Sequence, residues 1–246
     1  MTAREVRGEG LVVALDGPAS SGKSSVGSGA AGRLGYRFCD TGLFYRAVAL
    51  LAARRRAPLG DGPALAKLVP RVGLAADRQG RYTRVIADGT DVTDRAREAA
   101  VDKIVSEVAR QPEVRAALLA PQRALAADGA IIMAGRDIGT VVLPDADLKI
   151  YLDASAEERA RRRCLERDIS PGGAEEAEIL ADLRRRDGID STRAVAPLRI
   201  PPDALVVMTD GLTLAGTVDA VVAAVREVED AALGWIADDP EARRSS

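Results

Sequence analysis

Eight residues near the N-terminus, Gly17-Pro18-Ala19-Ser20-Ser21-Gly22-Lys23-Ser24, constrain this chain more than any other segment. They fit the pattern G-x-x-x-x-G-K-[ST], in which glycines let backbone N–H groups wrap a phosphate and the following helix points its positive end at it. In such a loop the lysine bridges the outer phosphates of a nucleoside triphosphate and the serine hydroxyl reaches its magnesium ion. Gly17, Pro18, Ala19, Ser20, Ser21, Gly22, Lys23, Ser24 and the adjoining Ser25 are therefore the candidate triphosphate ligands, with Ser24 also the candidate metal ligand. The context fits as well, because the apolar run Leu11–Leu15 precedes the loop and a helical segment follows it. A second glycine pattern, Gly27-Ser28-Gly29-Ala30-Ala31-Gly32, matches the dinucleotide fingerprint G-x-G-x-x-G. It falls inside that helix instead of after a strand, and is rejected. Each interior glycine costs about 1 kcal/mol relative to alanine, so packing must hold this helix together.

At 246 residues and 47% hydrophobic, the chain suits one or two domains with a sizeable core. Five short apolar runs, Leu11–Leu15, Tyr36–Cys39, Ala130–Ala134, Leu148–Leu152 and Ala204–Met208, read as buried parallel strands. Helical periodicity is clearest in Thr41–Arg56, Arg95–Arg110, Glu113–Ala127, Ala156–Arg167, Glu175–Arg186 and Thr217–Ala231. The pattern predicts an α/β fold, a five-stranded parallel sheet flanked by helices. Between Asp61 and Val92 it changes to short strands, Val72–Leu74, Arg81–Ala87 and Asp91–Val92, around turn signals at Asp77–Gly80 and Asp88–Gly89. That stretch reads as a small antiparallel insert. The first ten residues and the polar tail beyond about residue 232 read as disordered.

Composition removes whole reaction classes. The chain has no histidine and no asparagine. Ser-His-Asp triads, Cys-His proteases and His-ligated metal sites are excluded together. So is the Asn-Lys-x-Asp guanine-reading motif of regulatory GTPases. A formal charge of -2, a pI near 5.5 and only seven aromatic residues argue against a nucleic-acid partner. Cys39 and Cys164 form no C-x-x-C pair, and no apolar run approaches the ~18 residues of a membrane span. The expectation is a cytoplasmic protein with reduced thiols and no membrane partner.

A phosphate loop alone leaves motor, switch, transporter ATPase and small-molecule kinase open. Downstream segments narrow the choice. Asp40-Thr41-Gly42-Leu43-Phe44-Tyr45-Arg46 ends the second strand and opens a helix, which suits an anion acceptor or a simple N-cap. Gly135-Arg136-Asp137 ends the third strand, at the carboxyl edge where such sheets bind ligands. The run from Arg184 to Arg193 brings a dense group of guanidinium side chains after a glycine-rich segment.

Taken with Gly135-Arg136-Asp137-Ile138-Gly139-Thr140, Pro144-Asp145-Ala146, Glu157-Glu158-Arg159-Ala160 and Arg193-Ala194-Val195-Ala196-Pro197-Leu198, the chain resembles the nucleoside monophosphate kinases, specifically bacterial-type cytidylate kinase, over about residues 11–231. The resemblance implies a P-loop kinase core (11–60 and 111–231), an acceptor-binding insert (61–110) and a lid near 164–178. It implies phosphorylation of CMP and dCMP by ATP with Mg2+ by a monomer. It places Ser106, Arg115 and Asp137 on the cytosine ring, and Arg46, Arg136 and Arg193 on the acceptor phosphate. Arg186 and Asp190 fall near the ribose, and Thr41 beside the nucleotide. Lys23, Arg136, Arg159, Arg163 and Arg193 become the candidate catalytic residues, whereas Arg184 and Arg185 read as surface charges. UMP, AMP or a shikimate-like alcohol as acceptor, and a P-loop switch answering to a protein, remain the competing readings.

Overall fold

A computed structural model describes residues 10–238 of the chain. Five parallel strands form its centre, in the order β2 (Arg37–Asp40), β6 (Ile131–Gly135), β1 (Val12–Asp16), β7 (Leu148–Asp153), β8 (Leu205–Met208). Their apolar continuity has a simple cause: both faces are covered. Along β6, Ile131 and Met133 enter one core while Ile132 and Ala134 enter the other. The first core is closed by α2 (Gly42–Arg55), α5 (Ala99–Ala109) and α6 (Pro112–Ala126). The second is closed by α1 (Lys23–Leu34) and α9 (Leu214–Asp238).

Most observed strands run one residue beyond the apolar run that marked them, so Asp16, Asp40, Gly135 and Asp153 are their last residues. Those polar ends meet at the carboxyl edge of the sheet. The expected burial of the fifth strand is corrected. β8 pairs only with β7 and is the sheet's edge, leaving Leu205, Val206 and Met208 exposed.

The antiparallel strands β3 (Val72–Ala76), β4 (Arg81–Ala87) and β5 (Thr90–Asp91) occur where turn chemistry placed them. They do not form a separate sheet. β4 adds to β2 in parallel through Phe38↔Arg81 and Cys39↔Tyr82, so the insert extends the main sheet. The helix expected over Arg95–Arg110 is broken into α4 (Thr93–Ala96) and α5, with Glu98 in extended conformation between them. Short α3 (Gly62–Ala66) precedes β3.

After β7, α7 (Ala156–Glu166) and α8 (Ala174–Thr192) form a hairpin whose Ala160 and Leu183 pack on Ala19 of the phosphate loop. α8 continues six residues past the expected end at Arg186, and α9 continues to Asp238, seven past Ala231. Of the disorder expected over 1–10 and 232–246, residues 1–9 and 239–246 lie outside the described residues, and 232–238 are corrected, since they continue α9.

Candidate active site

The phosphate loop is built as its glycines require. Gly22 has φ 90° and Ser20 has φ 57°, so consecutive N–H groups turn inward. At Gly17 a Cβ would run into the Leu152 carbonyl oxygen of β7. α1 begins with no side-chain cap and no acidic residue in its first turn, leaving its N-terminal donors free for an anion. In their place the Lys23 Nζ donates to the Pro18 carbonyl at 2.5 Å and to Ser21 Oγ at 3.1 Å. Burial, and next the charge of Arg136, hold its pKa well below the ordinary lysine value. A bound phosphate reverses that strain, since it offers the buried ammonium the anion it lacks.

The loop opens on a cleft of about 300 Å³ at the carboxyl edge of the sheet. Seven cationic side chains line it (Lys23, Arg46, Arg115, Arg136, Arg163, Arg186 and Arg193) against four carboxylates (Asp40, Asp137, Asp190 and Glu166). An acidic chain thus holds a locally cationic site. Ser20, Ser21, Gly22, Ser24, Ser25, Thr41 and Ser106 also line the cleft.

Each helix supplies its residues by register. Because α8 runs on to Thr192, Arg186 and Asp190 lie one turn apart, and Arg193 follows as the C-cap. Asp190 accepts from Arg136 Nε at 3.0 Å and lies 3.5 Å from Arg193 Nη1. Asp137 pairs with Arg115 Nη2 and lies 3.6 Å from Arg193 Nη2. The Arg115 guanidinium also sits 5.3 Å from the Tyr45 ring centre. Among the described residues the Ser106 hydroxyl makes no hydrogen bond, and Thr41 Oγ1 donates to the Ala134 carbonyl at 2.9 Å.

Two guanidinium groups stand out by what they lack. Arg186 Nε and Arg193 Nη2 are buried without a hydrogen-bond partner, and Arg186 has no ion pair among the described residues. Burial, with Arg136 next, lowers the Arg186 pKa; burial, with Arg115 next, lowers that of Arg193. Buried donors of this kind are costly unless a ligand supplies the acceptor.

Arg159 does not reach the cleft. Its three donor groups go to the Ala154 carbonyl, to Ala19 O in the phosphate loop at 2.9 Å, and to Asp187 Oδ2 at 2.7 Å. It clamps the α7–α8 hairpin to the loop from behind. Gly17, Pro18 and Ala19 likewise lie behind the cleft lining. Arg184 and Arg185 pair with Glu157 and Asp182 on the exposed surface.

Three carboxylates in or beside the cleft were not singled out as site residues. Asp16, buried at the end of β1, accepts from Ile138 N at 2.9 Å and Gly139 N at 2.8 Å. Those two N–H groups open the π-helical turn Ile138–Val142 that follows Arg136 and Asp137. Burial pushes the Asp16 pKa up to about 6, against the pull of the two N–H groups. Asp40 accepts from Ser24 Oγ at 2.6 Å. Asp102 meets three arginines at once. Polar residues at the ends of apolar runs were the available signal for the first two. Asp102 was marked only by its one-turn spacing from Ser106.

The residues fit a magnesium ion brought by a nucleotide. Ser24 and Asp40 present hard oxygen donors beside Lys23, and Mg2+ draws its remaining ligands from water and substrate phosphates. No group of three His, Cys, Asp or Glu residues forms an all-protein cage among the described residues.

Comparison with known proteins agrees with this geometry. The family model described as cytidylate kinase matches residues 13–227. The cytidylate kinase of Pelotomaculum thermopropionicum is 46% identical over 215 residues, covering 87% of this chain and 95% of that protein. That of Nocardia farcinica is 48% identical over 210 residues, covering 85% and 90%. That of Mycolicibacterium paratuberculosis is 45% identical over 224 residues, covering 90% and 98%. With the phosphate loop, the cationic cleft and this similarity in one frame, the chain belongs to the cytidylate kinase family.

Proposed function

We propose that this chain transfers the γ-phosphoryl group of ATP to the 5′-phosphate of CMP and dCMP, giving ADP with CDP or dCDP. The observation that carries the reading is the pair of buried guanidinium donors without a hydrogen-bond partner among the described residues, Arg186 Nε and Arg193 Nη2, in the cleft that the phosphate-binding loop lines. Arg193 serves a second phosphate and Arg186, with Asp190, the ribose beside it, neither of which an ATPase acting on water needs. Arg46 and Arg136 join Arg193 on that phosphate. A carboxylate at Asp137 accepts from the exocyclic amine of cytosine, which uracil lacks, while Arg115 and Ser106 donate to the ring. Residues 61–110 serve as the acceptor-binding insert and 164–178 as the lid.

The step needs no strong base, because the attacking phosphate oxygen is already anionic. It bonds to the γ-phosphorus as the bond to the ADP oxygen breaks, and the arginines neutralise charge on the group in flight. Lys23 leaves its contacts with Pro18 O and Ser21 for the outer phosphates. When bound, Mg2+ at Ser24 and Asp40 supplies charge neutralisation on the triphosphate. Closing the hairpin over the cleft excludes water, so ATP is not wasted by hydrolysis. The family also supports a monomer acting in the cytoplasm on small-molecule partners, and no helix of the described residues is long and apolar enough to cross a membrane.

Initial rates with CMP, dCMP, UMP, AMP and shikimate in one coupled assay test the reading. CMP and dCMP are expected to lead. Equal rates with every base overturn the cytosine assignment. Slow hydrolysis that no acceptor accelerates, with ATP affinity set by a protein, returns the P-loop switch.

A further inference from the structure

One carboxylate outside the lining of the cleft gathers arginines from several elements. Asp102 lies on the first turn of α5 and is buried. Its Oδ1 accepts from Arg46 Nη2 of α2 at 2.5 Å. Its Oδ2 accepts from Arg163 Nη2 of α7 at 2.8 Å, and Arg167, just past α7, comes within 3.6 Å. Among the described residues these are the only ion pairs joining α5 to α7 or its end. Arg46 and Arg163 both line the cleft, on the acceptor side and the hairpin side respectively.

We propose that Asp102 is a positioning residue for phosphoryl transfer: it holds Arg46 and Arg163 in convergence across the cleft and ties the hairpin arginines to the helix that carries Ser106. This rests on the phosphoryl-transfer reading above. Asp102 takes one Nη2 group from each arginine, and among the described residues the Nε–H of each makes no hydrogen bond and stays available to phosphate. Arg46 Nη1 is held in addition by the Ala96 carbonyl at 3.1 Å, and Arg163 Nη1 by Glu166 at 3.2 Å. Each cation is thus fixed at two points before substrate arrives, and the orientation is paid in folding instead of at the reaction. The helix register adds a link to the acceptor. Asp102 and Ser106 are one turn apart on α5, so a nucleotide that settles against Ser106 acts on the same helix that anchors Arg163.

The test is steady-state kinetics of the wild type, Asp102→Asn, Asp102→Glu, Arg163→Gln and the Asp102→Asn/Arg163→Gln double variant, each with a thermal melt. Asp102→Asn is expected to lower kcat about tenfold to a hundredfold, the scale of a misplaced reacting group, with KM for CMP and ATP changing far less. Asp102→Glu keeps the charge and moves the carboxylate by one methylene, so its kcat falls between. The double variant is expected to lose less than the two single losses combined, because both remove the Asp102–Arg163 coupling while only Asp102→Asn also frees Arg46. Additive losses overturn the proposal, as does an unchanged kcat in Asp102→Asn. A lower KM for CMP at full kcat also overturns it, since Asp102 would then be a competitor of the phosphate. If Asp102→Asn does not fold, Asp102→Glu decides: wild-type kcat refutes positioning, and reduced kcat at constant KM supports it. Failure of the wild type to phosphorylate CMP would instead overturn the acceptor assignment.

Discussion

Buried charge is the currency of this site, and Asp16 shows its physical consequences most directly. Its carboxyl is buried at the end of β1, and burial raises its pKa from 3.8 to about 6. The folded protein therefore takes up this proton near pH 6, whereas the unfolded chain takes it up only near 3.8. Stability from this group is fully present below 3.8 and is lost as pH rises through 6. Asp16→Asn removes that dependence. The stability difference, wild type minus variant, should fall by roughly 3 kcal/mol between pH 3.5 and pH 7. Urea melts of both proteins across that range measure it, and parallel curves would contradict the assignment. Asp16 had only a weak signal in the sequence, a polar residue at the end of an apolar run, and any strand terminus shares it. Its importance comes from Ile138 and Gly139, more than a hundred residues away.

Elements reveal why glycine patterns mislead. The fingerprint-like Gly27, Gly29 and Gly32 all sit within α1, and only packing separates their roles. A Cβ at Gly27 would approach the Phe38 ring at 2.5 Å and Leu15 at 3.0 Å, both fixed in the core. At Gly32 a Cβ meets nothing within 4 Å. Gly27→Ala should therefore destabilise the protein by about 1–3 kcal/mol through overpacking. Gly32→Ala should stabilise it by about 0.5–1 kcal/mol, as expected at an exposed helical position. Opposite shifts in denaturant midpoint check the pair. The same scale explains α8. Its periodicity fades at Arg186 because Asp187, Gly188, Asp190 and Ser191 are poor helix formers. The helix continues because Asp187 is held by Arg159, and Asp190 by Arg136 with Arg193 nearby. Local propensity could not foresee tertiary partners.

Across the whole molecule, stability and function oppose each other at the cleft. Among the described residues Arg186 has no ion pair, and burial, then the nearby charges of Arg136 and Arg46, lower its pKa. Arg186→Met removes that repulsion. It should raise the Tm of the free protein by about 2–4 °C, the shift that about 1 kcal/mol gives at this size. It should also weaken acceptor binding. In the wild type, CMP and an unreactive ATP analogue stabilise by mass action, by about 2.7 kcal/mol at a hundredfold excess over Kd. In Arg186→Met the CMP-dependent part of that shift should shrink, while the part due to the ATP analogue remains. Differential scanning fluorimetry separates the two ligands, and a lower Tm for the ligand-free variant would count against the argument.

By itself the sequence determined the parallel α/β core and the phosphate loop. The first is local patterning: apolar runs of strand length between amphipathic helices must be covered on both faces. The second is local chemistry, because Gly17, Gly22, Lys23 and Ser24 act within one turn of chain. It also marked the individual site arginines through family resemblance. Only the tertiary structure decided that the antiparallel insert extends the main sheet, that β8 is an exposed edge, and that Arg159 faces the loop and not the cleft. It alone paired Asp102 with Arg46 and Arg163, separated by 56 and 61 residues. The physical reason is the same in each case. Hydrogen bonds of loops and periodic burial are written in neighbouring residues, whereas the partner of a buried charge is chosen by the packing of helices distant in the chain.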